Sequence, residues 1–290
     1  MSAPEPFGHR LVAAAEKFGP LCVGIDPHPH LLHSWGLNTD VAGLREFSLR
    51  TVAALDGTVG VVKPQSAFYE QYGSGGVAVL EEVVQECRSR GILCILDAKR
   101  GDIGSTMTAY AQAYLTEGSP LAADAVTLSP YLGVGALAEA ADTAVANGRG
   151  VFVLCLTSNP EGALVQHART GAGHPVAAQV AREVGELNHA ERAGGTLGSA
   201  GLVVGATIGA AAAELGVDLA AVNGPLLAPG LGAQGGTTAD LARVFAGALG
   251  AVVPTTSRTV LAAGPQAAQI ADAAGRVGGM LKDLRNEANG

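Results

Sequence analysis

Two acids and a lysine stand close together in the segment Asp97-Ala98-Lys99-Arg100-Gly101-Asp102. They follow directly on the apolar run 92–96, which reads Ile-Leu-Cys-Ile-Leu. An unbroken apolar run of this length is typical of a strand buried on both faces, as in a parallel sheet. Ligands of α/β proteins bind at the carboxyl ends of such strands. A lysine held between two carboxylates stays protonated and can donate a proton. The same residues could instead form an ion pair that closes a strand.

Polar residues follow most of the other strand-like segments as well. In chain order they are Asp26, Lys63, Asp97 with Lys99, Ser129, Thr157 with Ser158, the loop 230–236, and Ser257 with Arg258. Charges packed this closely shift one another's pKa values and cost desolvation energy, so such a cluster is more typical of a functional site than of a structural one. Taken singly, each residue also has a structural explanation, such as a turn at Asp26 before proline or an ion pair between Arg258 and a helix acid.

A glycine-rich loop, Gly230-Leu231-Gly232-Ala233-Gln234-Gly235-Gly236, contains a formal G-x-G-x-x-G pattern. The pattern lies late in the chain and follows a poor strand, which argues against a dinucleotide fold. The loops after the seventh and eighth strands of a barrel are frequent phosphate sites, and Arg258 would supply a paired charge. We therefore expect a phosphorylated small molecule as the ligand. The histidines at 28, 30 and 33 suggest a metal site, but prolines interrupt them and no acid follows at ligand spacing, so we expect no metal.

The order of elements predicts the fold. Strands are predicted at 21–26, 59–64, 92–97, 124–129, 150–156, 201–205, 225–229 and 251–256. Helices are predicted at 40–55, 75–90, 103–116, 134–146, 175–190, 238–248 and 265–286, with a short Ala-rich helix after the sixth strand. A polar lead-in with a short helix over 1–19 precedes them. Strand and helix alternate eight times, which favours an α/β fold of the (β/α)8 TIM barrel type over an open sheet. We expect one barrel domain spanning residues 1–290. Its seventh strand is the least regular, because prolines flank it.

Composition excludes several classes of protein. The chain is 48% hydrophobic and 15% charged, which is not a disordered composition. A net charge of −8 predicts no nucleic-acid partner. No apolar run is long enough to span a membrane, and the first residues lack the features of a signal peptide. The four cysteines show no Cys-x-x-Cys spacing and mostly lie in apolar runs. We expect a cytoplasmic protein with no membrane partner.

The segment 97–106 resembles a known family signature, Asp-x-Lys-x-x-Asp-Ile-x-x-Thr, that of the orotidine 5′-phosphate decarboxylases and in particular of their longer bacterial subgroup. Segments 24–26, 62–64, 158–160, 229–236 and 257–258 fall in the family's order along nearly the whole chain. The resemblance implies a (β/α)8 homodimer with shared active sites. It also implies a carboxy-lyase of de novo pyrimidine synthesis, which makes uridine 5′-phosphate (UMP) and carbon dioxide without metal or cofactor.

The same resemblance implies a role for each matching residue. Lys99 would protonate C6 of the pyrimidine, Asp97 would stand beside the substrate carboxylate, and Lys63 would complete the charged chain and bind ribose. Asp102 and Thr106 would reach into the neighbouring subunit's site. The remaining contacts would be Asp26 to a ribose hydroxyl, Ser158 to the pyrimidine edge, and Gln234, Gly235 and Arg258 to the phosphate. Ser257 stands where many relatives have glycine.

Two alternatives remain at this stage. The first is a related TIM-barrel sugar-phosphate lyase, either a metal-assisted 3-keto-acid decarboxylase or an aldolase with a lysine Schiff base. A Schiff-base lysine needs a depressed pKa, which the flanking acids oppose. The second is a non-catalytic phosphate-binding barrel. The intact set of charged residues counts against it.

Overall fold

Eight parallel strands close into a barrel in strict chain order, with β1 paired to both β2 and β8. The computed structural model describes the backbone of residues 4–289 and the side chains of 4–287. The strands are β1 (Cys22–Ile25), β2 (Val61–Pro64), β3 (Leu93–Arg100), β4 (Ala125–Leu128), β5 (Gly150–Leu156), β6 (Ala200–Val204), β7 (Leu226–Pro229) and β8 (Val252–Thr256). The predicted (β/α)8 TIM barrel is confirmed. The proline-flanked seventh strand forms because Pro229 lies at its last position, where a missing N–H disturbs the ladder least.

The helices surround the barrel. They are α1 (Phe7–Phe18), α2 (Pro29–Ser34), α3 (Val41–Leu55), α4 (Ala67–Glu70), α5 (Gly73–Arg90), α6 (Gly104–Leu115), α7 (Ala138–Ala146), α8 (Ala163–Gln166), α9 (Val176–Leu187), α10 (His189–Ala193), α11 (Ala211–Glu214), α12 (Thr238–Val244), α13 (Arg258–Leu261) and α14 (Ala267–Asn289). Short 3₁₀ helices lie at Val134–Leu137, Pro160–Gly162 and Leu249–Ala251. Within residues 4–289, no helix is both long and apolar enough to cross a membrane.

Three helix predictions need correction. The helix predicted at 238–248 already ends at Val244. The helix predicted at 134–146 begins as a 3₁₀ turn, and the one predicted at 175–190 divides into α9 and α10. The division falls at Asn188, whose buried side chain donates to the carbonyls of Ala200 and Val222 and accepts from the N–H of Ala200. These bonds are made across the fold. Helical periodicity along the chain could not predict them.

Apolar side chains fill the inside of the barrel, and α1 closes its amino-terminal end. Phe7 is fully buried against Phe152 of β5, with the rings edge to face at 6.0 Å between centroids. Gly150 makes this packing possible, since a Cβ atom there would lie 2.3 Å from the Phe7 ring. Phe7 and Leu11 of α1 are therefore part of the core. Because one end of the barrel is filled, the other end, at the strand carboxyl termini, is the one open to a ligand.

Strand β3 departs from a regular ladder at the point where the charged motif begins. The sequence predicts that it ends at Asp97, yet it continues to Arg100. Its register with β4 runs from Leu96 opposite Val126 to Arg100 opposite Leu128, so β3 carries two extra residues over this stretch. Lys99 has a φ of +49°, in the left-handed region. Bulges of this kind re-aim side chains beside active sites.

Candidate active site

A cavity of about 400 Å³ opens at the carboxyl ends of the strands. Its walls include Asp26, Lys63, Asp97, Lys99, Gln234 and Arg258 from the set predicted by sequence. Its floor is apolar and formed by Leu154 of β5, Val203 of β6 and Leu227 of β7. The barrel therefore brings most of the charged strand ends together, as the parallel topology requires.

Asp97 is the centre of a chain of alternating charges. Its carboxylate accepts from Lys63 Nζ at 2.8 Å through Oδ2 and from Lys99 Nζ at 2.5 Å through Oδ1. Thr127 Oγ1 donates to Oδ1 at 2.9 Å. Asp97 and Lys63 are buried, whereas the Lys99 side chain remains 44% exposed. The ammonium of Lys99 is thus the most exposed member of this ion chain.

The ion chain holds each buried member in its charged form. Burial raises the pKa of the Asp97 carboxyl, but the ammonium groups of Lys63 and Lys99 outweigh burial and hold that pKa well below its ordinary value. Burial lowers the pKa of Lys63, but the negative charge of Asp97, and next that of Asp26, raises it above its ordinary value. Neither group is neutral near pH 7, which disfavours Lys63 as a Schiff-base nucleophile.

The lowered pKa of the Asp97 carboxyl predicts that the stability of the fold depends on pH. The folded-state pKa of Asp97 lies below its unfolded value, so its stabilising contribution is complete above the unfolded pKa and is lost as pH falls through the folded one. We expect the gap in unfolding free energy between wild type and Asp97→Asn to shrink below about pH 4, by about 1.4 kcal/mol per pH unit. Urea unfolding from pH 6 to pH 2.5 measures that gap, and the other carboxyls cancel in it. A constant gap would contradict the shift.

The glycine-rich loop 230–236 folds tightly beside the cavity. The N–H of Gly236 donates to the carbonyl of Gly230 at 3.0 Å, and that of Gly235 donates to Gly232 at 2.7 Å. Gly230, Gly232 and Gly235 all have φ between +78° and +112°, which other residues rarely adopt. A Cβ atom on Gly232 would also lie 2.4 Å from Thr259 Oγ1. Glycine is therefore required here, and Gln234 and Arg258 line the cavity beside the loop.

Several buried polar atoms in the cavity wall have no hydrogen-bond partner among the described residues. They are Asp26 Oδ1, Thr256 Oγ1 and Ser257 Oγ. Buried polar atoms are nearly always paired, so unpaired ones that line a cavity indicate a polar ligand. The Ser257 side chain fits here because residue 24 is glycine, where a Cβ atom would approach Ser257 Cβ to 2.9 Å.

Four residues predicted for the site do not line the cavity. Ser158 and Gly235 each follow a lining residue and are exposed. Thr106, near the start of α6, is also exposed, and Asp102 is half-buried. The Asp102 carboxylate accepts the N–H of Ile103 at 2.8 Å, so within the single chain it bonds the adjoining backbone. Their predicted roles stay predictions.

The structure adds site residues that sequence reasoning missed. Thr127 lies inside β4 and donates to Asp97, while Gln65 Nε2 donates to the Asp97 carbonyl at 3.2 Å. A polar residue within an otherwise apolar strand was the only signal for Thr127. His28 also lines the cavity, and burial lowers the pKa of its imidazole. Among the residues described, no three His, Cys, Asp or Glu side chains are grouped to hold a metal ion, and the three histidines near residue 30 are no exception.

Fold and cavity together define a TIM-barrel protein with a ligand site of alternating charges and a glycine-rich loop at the strand carboxyl ends. Comparison with known proteins identifies the family. Residues 19–273 match the model of the Orotidine 5′-phosphate decarboxylase / HUMPS family, and the chain belongs to it.

Relatives match this chain over nearly its full length. An orotidine 5′-phosphate decarboxylase of Salinispora arenicola is 60% identical over 286 residues, covering 99% of each chain. One of Streptomyces coelicolor is 56% identical, covering 94% of this chain and 95% of its own. A crystal structure from Streptomyces avermitilis has a TM-score of 0.92 at 52% identity, with 98% of this chain and 97% of that one covered. The OMP decarboxylase of Leishmania donovani has a TM-score of 0.75 at 30% identity, with 97% and 99% covered.

Proposed function

We propose that this protein is a carboxy-lyase that converts orotidine 5′-phosphate to UMP and carbon dioxide in de novo pyrimidine synthesis, without metal or cofactor. The observation that carries the proposal is the Lys63–Asp97–Lys99 ion chain, in which an accessible ammonium is held 2.5 Å from a buried carboxylate. Family membership and the relatives' named activity support the same reaction.

The chemistry of the reaction calls for this arrangement. Loss of carbon dioxide from an sp² carbon leaves a carbanion with little resonance stabilisation, so the site must supply a fixed cation and a proton. Lys99 would supply both, because the Asp97 carboxylate holds its ammonium in place. The substrate carboxylate would lie beside the Asp97 carboxylate. Their repulsion is relieved when carbon dioxide leaves, which favours the transition state over the bound substrate.

Binding energy would come from the parts of the substrate that do not react. The loop 230–236, with Gln234, Gly235 and Arg258, would hold the phosphate through backbone N–H groups and a guanidinium. Asp26 would accept a ribose hydroxyl through its unpaired Oδ1, and Ser158 would reach the pyrimidine edge. Energy gained at the phosphate can then be used to order and desolvate the reacting end.

We also propose that the protein is a cytoplasmic homodimer with shared sites, which contacts neither nucleic acid nor membranes. Asp102 and Thr106 lie beside exposed apolar residues on the same side of the barrel. Of these, Ile103 is 62% exposed, Tyr131 79% and Leu132 52%. A second subunit packed there would bury these apolar residues, and Asp102 and Thr106 of the first subunit would then reach the cavity of the second. The four cysteines are free and buried, as a reducing compartment would allow.

Mixing two inactive variants tests the shared site. Lys99→Ala and Asp102→Ala subunits, each inactive alone, are expected to recover roughly a quarter of wild-type activity in an equal mixture, because half of the dimers would then hold one intact site. Lys99→Ala mixed with Asp97→Asn is the matched control and should recover nothing, since both changes fall in the same half of the site. If subunit exchange is demonstrated and the two mixtures are equally active, the shared active site is contradicted.

A substrate comparison tests the reaction itself. Purified protein is incubated with orotidine 5′-phosphate or with keto-acid sugar phosphates, each with EDTA, with magnesium or with borohydride, and the products are quantified by chromatography. We expect UMP from orotidine 5′-phosphate under all three conditions. If the protein turns over a sugar phosphate and not orotidine 5′-phosphate, and that turnover depends on magnesium or is abolished by borohydride trapping, the protein is a sugar-phosphate lyase and the proposal is wrong.

A further inference from the structure

The backbone that carries Lys99 is held in an unfavourable conformation. Among residues 4–289, Lys99 and Asn223 are the non-glycine residues with positive φ. Residues other than glycine rarely adopt the left-handed region because their Cβ atom is crowded there, so neighbouring groups must hold Lys99 in it. The conformation belongs to the β3 bulge, which points the side chain back toward Asp97. Whatever stabilises the bulge therefore sets the position of the ammonium.

Groups from β4 and from the segment directly after β2 stabilise the amino-terminal half of the bulge. The carbonyl of Asp97 accepts from the N–H of Ser66 at 3.1 Å and from Gln65 Nε2 at 3.2 Å. The N–H of Lys99 donates to Thr127 Oγ1 at 3.0 Å. These contacts leave the carbonyl of Ala98, between the two catalytic candidates, to be satisfied from the other side.

Arg100 supplies that remaining contact. Its guanidinium donates to the Ala98 carbonyl at 3.1 Å, to Tyr114 Oη at 3.1 Å, and to the carboxylate of Glu70. It also lies 5.7 Å from the ring centroid of Tyr110 and 5.6 Å from that of Tyr114, within the range of cation–π attraction. The planar, multiply donating guanidinium suits this set of acceptors, which a lysine could satisfy only in part.

Glu70 connects this side of the bulge to the other. Its Oε1 accepts from Ser66 Oγ at 2.6 Å as well as from Arg100, and the backbone of Ser66 bonds Asp97. Burial raises the pKa of the Glu70 carboxyl, but the hydrogen bonds from Ser66 and Arg100 outweigh it and lower that pKa below its ordinary value. Glu70 therefore bridges the two flanks of the segment 97–99 as a carboxylate.

We propose that Arg100, anchored by Glu70 and Tyr114, is a positioning residue that holds the β3 bulge and so aims the Lys99 ammonium into the cavity. Arg100 does not line the cavity, so it acts through Lys99 and not on the ligand. The effect of Arg100 on turnover rests on the proposed decarboxylase function. Its effect on the backbone conformation of Lys99 does not depend on that function.

Kinetics of single variants test the positioning role. Arg100→Met is expected to lower kcat for orotidine 5′-phosphate about 10²-fold while changing KM and the Kd for UMP less than about threefold, because a small displacement of a reacting group affects mainly the transition state. Arg100→Lys should recover part of the loss, and Glu70→Gln should give a smaller loss of the same kind. The control is Arg45→Met, which removes an exposed ion pair with Glu82 and touches no site residue.

The outcomes separate this inference from the proposed function. If the wild type is active and the kcat values of Arg100→Met and Glu70→Gln both lie within threefold of the wild-type value, the positioning role is overturned. A loss of kcat in Arg45→Met equal to that in Arg100→Met would also overturn it. Inactive wild type would overturn the decarboxylase proposal, and crystal structures of Arg100→Met and Glu70→Gln then decide the inference. We expect Lys99 to leave the positive-φ region and its contact with Asp97 to open. An unchanged bulge in these variants would overturn the inference.

Discussion

Replacing Lys99 with alanine is expected to lower kcat by about 10⁴-fold or more while leaving the Kd for UMP within about tenfold of wild type. The ammonium would act twice in the transition state, as the cation beside the developing carbanion and as the proton donor, and these two contributions multiply. The product carries neither a carbanion nor the departing carboxylate, so its binding depends mainly on the phosphate and ribose contacts. Stopped assays of turnover and calorimetric titration with UMP measure the two quantities.

The control for this prediction is Lys17→Ala, at the opposite end of the barrel. Lys17 lies on α1 above the ring of Phe18 and is remote from the cavity, so its removal should leave kcat and the Kd for UMP unchanged. A Lys99→Ala enzyme with activity within a few-fold of wild type would remove Lys99 from the proton-donor role. A parallel collapse of UMP binding would instead assign it to ground-state binding.

Replacing Asp97 with alanine is expected to abolish turnover and also to lower the free energy of unfolding by about 3–5 kcal/mol. The Lys63–Asp97 pair is buried, with side chains 6% and 10% exposed, so removing the carboxylate leaves a buried ammonium without its counter-ion. Urea unfolding monitored by circular dichroism measures the loss of stability. The prediction would be wrong if Asp97→Ala unfolded at the same urea concentration as wild type.

The matched comparison is the double variant Asp97→Ala with Lys63→Met. Removing both charges from a buried pair is often neutral, so the double variant should recover most of the lost stability. It should recover no activity, because the ion chain that holds Lys99 would be gone. Stability and catalysis are thus expected to separate at this pair, and failure of the double variant to regain stability would show that the unpaired charge is not the cause of the loss.

Local sequence was sufficient to predict the barrel. Apolar runs such as 92–96 and 150–156 are dictated by burial on both faces of a parallel sheet, which is a property each strand shows by itself. The polar residues after these runs could then be expected at one end of the barrel. For Asp26, Lys63, Asp97, Lys99, Gln234 and Arg258 that expectation agrees with the cavity.

The features that sequence did not predict depend on contacts between distant parts of the chain. The bulge at Lys99 needs Thr127 from β4 and the segment after β2, and the break at Asn188 needs the backbone at residues 200 and 222. The packing of Phe7 into the barrel depends on Gly150. The predicted contributions of Asp102 and Thr106 need a second subunit, and no pattern within one chain can position them.

The most direct test of the account follows the ultraviolet absorbance of orotidine 5′-phosphate mixed with the purified protein in EDTA. The account predicts rapid loss of the orotate chromophore, with one UMP and one carbon dioxide formed for each molecule consumed, and the same rate when magnesium is added. A flat trace from folded protein that binds UMP, unchanged after magnesium is restored, would contradict the proposed reaction and leave a barrel that binds nucleotides without turning them over.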